Sequence, residues 1–532
     1  MTMLPTHDFK ETKLKPAFLL AAVLLLPLDI PKPLIAQSAT TQTENSYTHA
    51  RQILERGIEA LGGTKNFQTI NDIAYKSSAK FPEIEQSVSP DGPAYPRPVT
   101  GEGVLDFQRK RSYRVGTTTF LGGATYVIST VITDKTGFTA DLTSSAVYPL
   151  AAPAIAGNNR AIQRTFPHLI LQTALSRATT LRWLTEETYE GRKQQVITYA
   201  DFDGNQLTLF FNAETGLPTK IEILVDRLVE GLTATETIFS DYRDVNNVKI
   251  PFHVVTKTAG EITQDLIYGD VKFNTHPADA LFEMPEDAEI GPEVGGATQP
   301  VTLAKLAKDI YYVNAVSTPG IFFYSSMFVA FKDYVLVIEA PLNDAVAQAV
   351  IAKIKETAPG KPIKYLIPTH YHSDHTGGIR GYIASGSTIV TTPGNKNFIE
   401  RIASVSPPLN PDSLSLTRRP LSLETFKDKR VFSDGEHVVE FYNVGPSPHA
   451  MEILIAYFPL EKIVFASDIF PVYFKGKNGP TSPVFIDAYK KFRELGLQIE
   501  TIASGHGRLG TMDELKQAVE RAERERQSNK EH

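Results

Sequence analysis

Between residues 369 and 378 the chain reads THYHSDHTGG, which sets His370, His372, Asp374 and His375 within six positions. Packing has no use for three imidazoles and a carboxylate in so short a stretch, whereas divalent metals bind those groups strongly. Residues 364–368 read as a short strand, and Gly377 and Gly378 allow a tight turn into a helix. The ligand candidates therefore fall on a loop at the C-terminal end of a strand, where open α/β structures place their active sites. Tyr371 and Ser373 fill the intervening positions, where they can face a substrate or pack.

The His-x-His-x-Asp-His pattern resembles the signature of the metallo-β-lactamase superfamily, and the resemblance extends over about residues 305–515. It implies three further ligands: His449 in GPSPHA, Asp468 at the end of the apolar run KIVFASDIF, and His506 in ASGHG. It also implies how they are shared. One metal is expected on His370, His372 and His449, a second on Asp374, His375 and His506, with Asp468 between them. Two divalent ions follow, zinc first, with iron or manganese also suited to a sulfur-free ligand set.

Such a pair would share a water, lower its pKa and hold it as the attacking hydroxide. Asp374 would orient that hydroxide as well as bind metal. The absence of cysteine sets aside the zinc β-lactamases that use a thiolate ligand. The expected activity is metal-dependent hydrolysis of an ester, thioester, lactone or related bond. Two other readings stand beside it: a mononuclear iron enzyme of the same fold that oxidises sulfur compounds, and a lipid- or lipoprotein-binding protein whose second domain is a metal-stabilised scaffold. His7, His49, His168, His253, His276, His437 and His532 lie in no cluster and are assigned to no site.

The elements that must position these residues suggest an α+β protein of two domains. At 532 residues, the chain exceeds what one core usually serves, and 42% hydrophobic and 21% charged residues are typical of folded proteins. A net charge of −6 without a basic cluster gives no reason to expect nucleic acid. Apolar residues at helical spacing from Tyr47 to Leu61, ended by Gly62 and Gly63, predict one helix. Period-two segments follow to about residue 285, among them 126–133, 196–200, 207–211 and 221–225, with turns at Thr215-Gly216, Asn246-Asn247 and Ala259-Gly260. One helical break, 161–184, contains Trp183 and is interrupted by Pro167.

Residues 46–285 are thus expected to form a curved, mostly antiparallel β domain with helices, and 286–300, acidic and rich in Gly and Pro, a linker. The ALGG, FQTINDI, ETGLPTKIE, VKIPFHV and ALFEMP segments of the first domain are similar to periplasmic lipoprotein carrier and sorting proteins. That similarity implies an apolar cavity for acyl chains, and hence an acylated or small-molecule substrate and contact with lipid or a membrane surface. The plainer reading is that Phe210, Phe211, Phe239 and Phe252 are core residues. Residues 301–525 alternate strands with helices, such as 343–357, as an αβ/βα metallo-β-lactamase sandwich requires. Loops 314–327, 403–428 and 471–483 are the expected determinants of substrate choice.

Lys10, Lys13 and Lys15 precede an apolar run, residues 17–26, and the small residues Ala36 and Ser38 follow, so residues 1–38 read as a signal peptide for export to the periplasm. The run is too short to cross a bilayer as a helix. Intact-mass measurement of the exported protein should give a chain beginning at Ala39; a mass including residues 1–38 would identify an uncleaved anchor instead.

Overall fold

A computed structural model of the chain describes residues 35–296, 301–317, 323–471 and 480–531. The expected signal peptide lies outside them except for its last four residues, which begin a helix, Ile35–Ala60, longer at its start than the spacing predicts. Apolar periodicity marks only the part of a helix that packs, and the polar stretch ahead of Tyr47 carries none. Ser46–His532 form one compact unit.

Its first part is a sheet of 14 strands. Strands β1 (Asp72–Glu83), β2 (Tyr95–Asp106), β3 (Arg111–Thr119) and β4 (Thr125–Ile132) run antiparallel, joined by hairpins. A second antiparallel meander runs from Arg182–Tyr189 to Glu261–Phe273, and its last strand pairs with β1 to merge the two. The turns carry the residues they need. Asn246 and Asn247 sit at φ 48° and 63°, and Ala259 and Gly260 at 53° and 84°, the left-handed pairs of tight hairpins.

Two helices, Ala152–Gln163 and Pro167–Ser176, replace the single helical break, and Trp183 lies on the strand Arg182–Tyr189. Pro167 opens the second helix instead of interrupting one, since a first-turn residue needs no N–H partner. Within the expected linker, Glu289–Ile290 pairs parallel to Ala146 and Val147, and Val294 bridges to Leu150.

The core of this part joins Ala50, Leu54 and Ile58 of the first helix and Ile170 and Leu171 of a second to Phe211, Phe239, Phe252 and Tyr268 of the sheet. Gly57 permits the approach: a Cβ there would lie 2.4 Å from the Phe211 ring. Phe210 is also buried, under the Lys220 ammonium.

The second part is a four-layer sandwich. A seven-stranded sheet, Thr302–Ala307 to Ser422–Thr425, faces a five-stranded sheet, Lys429–Ser433 to Thr501–Ser504. Met327, Leu336, Ile338 and Ile367 of one meet Phe441, Leu454, Phe458 and Phe465 of the other. Helix Asp344–Thr357, capped by the Asn343 side chain accepting from the Val346 N–H, covers one outer face, and Pro483–Glu494 covers the other.

One buried group makes the fold sensitive to pH. His168 is enclosed by Phe67 and Phe166, both its ring nitrogens lack a partner, and burial lowers its pKa to about 4. An unfolded histidine binds a proton near pH 6.5, so between about pH 6.5 and 4 the unfolded chain holds the extra proton and stability falls as pH falls. Replacing His168 with Phe should remove that contribution. Denaturant titrations should show the parent losing about 2 kcal/mol more than His168→Phe between pH 7 and pH 5. Equal losses would show that the ring is solvated in the folded protein.

Candidate metal centre

The seven residues singled out in the sequence stand together at one end of the sandwich. His370, His372, Asp374 and His375 follow the strand Ile363–Ile367 and enter a short helix, Ser373–Thr376. Asp468 follows Ile463–Ser467, His506 follows Thr501–Ser504, and His449 lies just before Leu454–Phe458, whose start is level with the end of its antiparallel partner. Gly377 is required here for space, because a Cβ would fall 2.0 Å from the Leu342 carbonyl oxygen.

The side chains form two groups. In His370, His372, His449 and Asp468, and again in Asp374, His375, Asp468 and His506, one donor atom per residue lies within 4.8 Å of the others. Asp468 belongs to both through different oxygens. Its Oδ2 is 3.2 Å from His449 Nε2, while its Oδ1 is 2.9 Å from His375 Nε2 and 3.2 Å from His506 Nε2. Asp374 Oδ2 completes the second group at 3.6 Å from His375 and 3.5 Å from His506. In the first group the Nε2 atoms of His449 and His370 are 3.2 Å apart. Two nitrogens each about 2 Å from one tetrahedral ion would stand at about that separation. His372 Nδ1 is buried with no partner, as expected of a lone pair that faces an ion.

Residues behind the ligands hold their rings in place, and the motif does not include them. Glu339, fully buried at the end of Val335–Ile338, accepts from the hydroxyls of Thr369 and Ser467 and lies 3.3 Å from His375 Nδ1. Thr369 Oγ1 is in turn 2.9 Å from His370 Nδ1. Both rings are thereby engaged through Nδ1 and turn Nε2 toward the centre. Glu339 and Ser467 adopt φ of 74° and 46°, a strained conformation for residues other than glycine. A four-residue apolar strand ended by an acid, VLVIE, is the signal that marks Glu339 in the sequence.

Electrostatics divide the two groups. Burial and the neighbouring histidines hold His370 well below the ordinary value, and burial with His449 lowers His372 to about 3, so both imidazoles are neutral. Burial also disfavours charge in the second group, but Asp468, Asp374 and Glu339 outweigh it at His375, which is raised well above the usual range. Asp468 and Asp374 likewise raise His506 to about 9. Asp374 and Asp468 are depressed: burial works against their charge, and His375 and His506 overcome it. The two carboxylates thus require buried positive charge, which protonated rings supply and a divalent cation can equally supply.

A cleft of about 240 Å³ opens onto this centre, lined by Asp374, His449, Asp468 and His506 and, among polar residues, by Glu83, Gln86 and Ser482. The rest of its lining is apolar or aromatic: Phe120, Leu121, Ala124 and Tyr126 from the β3–β4 hairpin, with Pro471, Val484, Phe485 and Tyr324, whose ring meets His506 edge-on. The hairpin tip is fastened to the sandwich where Ser482 Oγ donates to the Gly122 carbonyl at 2.6 Å. Of the loops expected to choose the substrate, Tyr324, Pro471 and Ser482 reach the cleft, whereas 403–428 contributes none of its lining. That loop is spent on packing: Asp412 binds Arg380, and the Asn410 N–H donates to Asp226. Residues 318–322 and 472–479 lie outside the described residues. Tyr371 does not line this cleft; it is buried, with its hydroxyl on Ser87. His49, His168, His253, His276 and His437 belong to neither group, and His7 and His532 lie outside the described residues.

Glu339→Gln should weaken metal affinity about 10–100-fold in a chelator competition, since it removes the charge that orients His375 and, through Thr369, His370; unchanged affinity would make Glu339 a packing residue. One family match covers the seven residues of the centre. The family described as the Metallo-beta-lactamase superfamily matches residues 319–506. No curated protein matches the chain. Among solved structures, a metallo-beta-lactamase from Pontibacter korlensis is similar at 16% identity, covering 41% of this chain and 97% of that one, with a TM-score of 0.33. One from Hirschia baltica is 18% identical over 42% of this chain and 97% of its own, with a TM-score of 0.32. FIM-1 from Pseudomonas aeruginosa, in a mono-zinc form, is 14% identical over 43% and 98%, with a TM-score of 0.33. With the family match laid over both ligand groups, residues 319–506 of this chain are a domain of the metallo-beta-lactamase superfamily.

Proposed function

We propose that the protein is an exported hydrolase that uses two divalent ions, zinc by ligand type, to cleave an ester, thioester or lactone bond beside an apolar group. The observation that carries this reading is the pair of ligand groups joined by Asp468, open to a cleft with an apolar wall. His370, His372 and His449 would hold one ion and Asp374, His375 and His506 the other, with Asp468 shared. Ions so held would supply Lewis acidity and a water acidic enough to attack at neutral pH.

The chain's own residues define the rest. Asp374, on the cleft wall, is placed to orient the attacking water as well as to bind metal. Phe120, Leu121, Val484 and Phe485 exclude solvent and would seat an acyl or aryl group next to the scissile carbonyl. The division of labour is then between a β domain, 46–285, that presents the apolar part of the substrate and a sandwich, 301–525, that carries the chemistry. The completeness of the second ligand group favours this reading over a single-iron oxidation, and the cleft favours it over a scaffold without turnover.

The test is a substrate series on the purified protein, acetyl to decanoyl esters, thioesters and lactones, with metal content measured in parallel. Activity should vanish on chelation, return with zinc and rise with acyl length. Leu121→Ala should lower kcat/KM about tenfold or more for the longest acyl group and little for acetyl. Turnover by metal-free protein would overturn the metal assignment, and equal losses at every acyl length would overturn the apolar one.

A further inference from the structure

The loop between β1 and β2, residues 84–94, belongs to the large sheet and yet lies on the ligand residues of the sandwich. The Glu85 carbonyl accepts from the Ser373 N–H at 3.3 Å, and the Val88 carbonyl accepts from the Met451 N–H at 2.8 Å. Between them, two consecutive residues reach a ligand in each group. His372 Nε2–H donates to the Ser87 carbonyl at 2.8 Å, and Gln86 Nε2 donates to Asp374 Oδ1 at 2.6 Å.

Each contact settles which atom remains for an ion. A carbonyl can only accept, so His372 must carry its proton on Nε2, which leaves the lone pair on Nδ1, the buried atom without a partner. Gln86 occupies Oδ1 of Asp374, and Oδ2 is the oxygen turned to His375 and His506. Ser87 is itself fixed: it is 1% exposed, its carbonyl also accepts from the Tyr371 hydroxyl, and its own hydroxyl lies 2.8 Å from that oxygen. Tyr371 is held in turn by an edge contact with Phe398 at 5.1 Å.

We propose that this loop is a working part of the metal centre: Ser87, braced by Tyr371, positions His372 for one ion, and Gln86 positions Asp374 for the other. The β domain therefore supplies outer partners to both ions as well as a wall of the cleft. The inference rests on the two-ion reading above, and it assigns each ion a different positioning residue.

The experiment is titration of metal-free, full-length protein with cobalt(II), followed by the visible absorption of the bound ion. The parent should bind two equivalents. Gln86→Ala should weaken one equivalent about 10–100-fold, and Tyr371→Phe, which releases Ser87, should weaken the other by a similar factor and alter its absorption bands. Gln86→Glu keeps the shape but loses the donor, so it should behave like Gln86→Ala. Wild-type affinity in Gln86→Glu, or equal weakening of both equivalents by each variant, would reduce the loop to packing and overturn the proposal. Fewer than two equivalents in the parent would overturn the two-ion reading instead.

Discussion

The structure depends on where one carboxylate points. Asp468 is nearly buried, and its two oxygens face different ligand groups. A buried carboxylate needs compensating charge or it becomes neutral. Asp468 shares that demand with Asp374, so the centre concentrates negative charge between His370 and His372, kept neutral, and His375 and His506, held protonated. The surroundings reflect this load. Glu339, Thr369 and Ser467 form a buried polar network whose members satisfy one another, and two of them sit at strained backbone positions.

How much of this is visible in the sequence follows from distance along the chain. His370 to His375 are neighbours in sequence, and the strand and glycines around them announce a loop, so the first part of the centre is legible directly. His449, Asp468 and His506 become legible only through family resemblance, because a lone histidine after an apolar strand has many ordinary explanations. Strands alternating with helices made an α/β layer structure legible, and the sandwich itself was implied only by the family resemblance. Helix limits in the first part were not: the helix at Ile35–Ala60 begins in a polar stretch with no periodicity, and Pro167 starts a helix that spacing alone reads as interrupted.

Which residues of the large sheet reach the centre was not legible. Ser87 meets His372 across 285 positions, and no local pattern in EQSVSPDGP distinguishes it from any other hairpin loop. Phe120 and Leu121 likewise read as ordinary hairpin residues until the fold brings them to the cleft. Contacts of this kind come from how two sheets dock, which period-two and period-3.6 patterns do not encode. The result is a candidate centre whose seven residues all come from one part of the chain, while Gln86, the Ser87 carbonyl and part of the cleft lining come from the other.

The most direct measurement is anomalous scattering from crystals of the zinc-loaded protein. Two peaks are predicted, one on each side of the Asp468 carboxylate, the first among His370, His372 and His449 and the second among Asp374, His375 and His506. A single peak, or one displaced to the Glu339, His370 and His375 side, would contradict a centre built around the shared carboxylate.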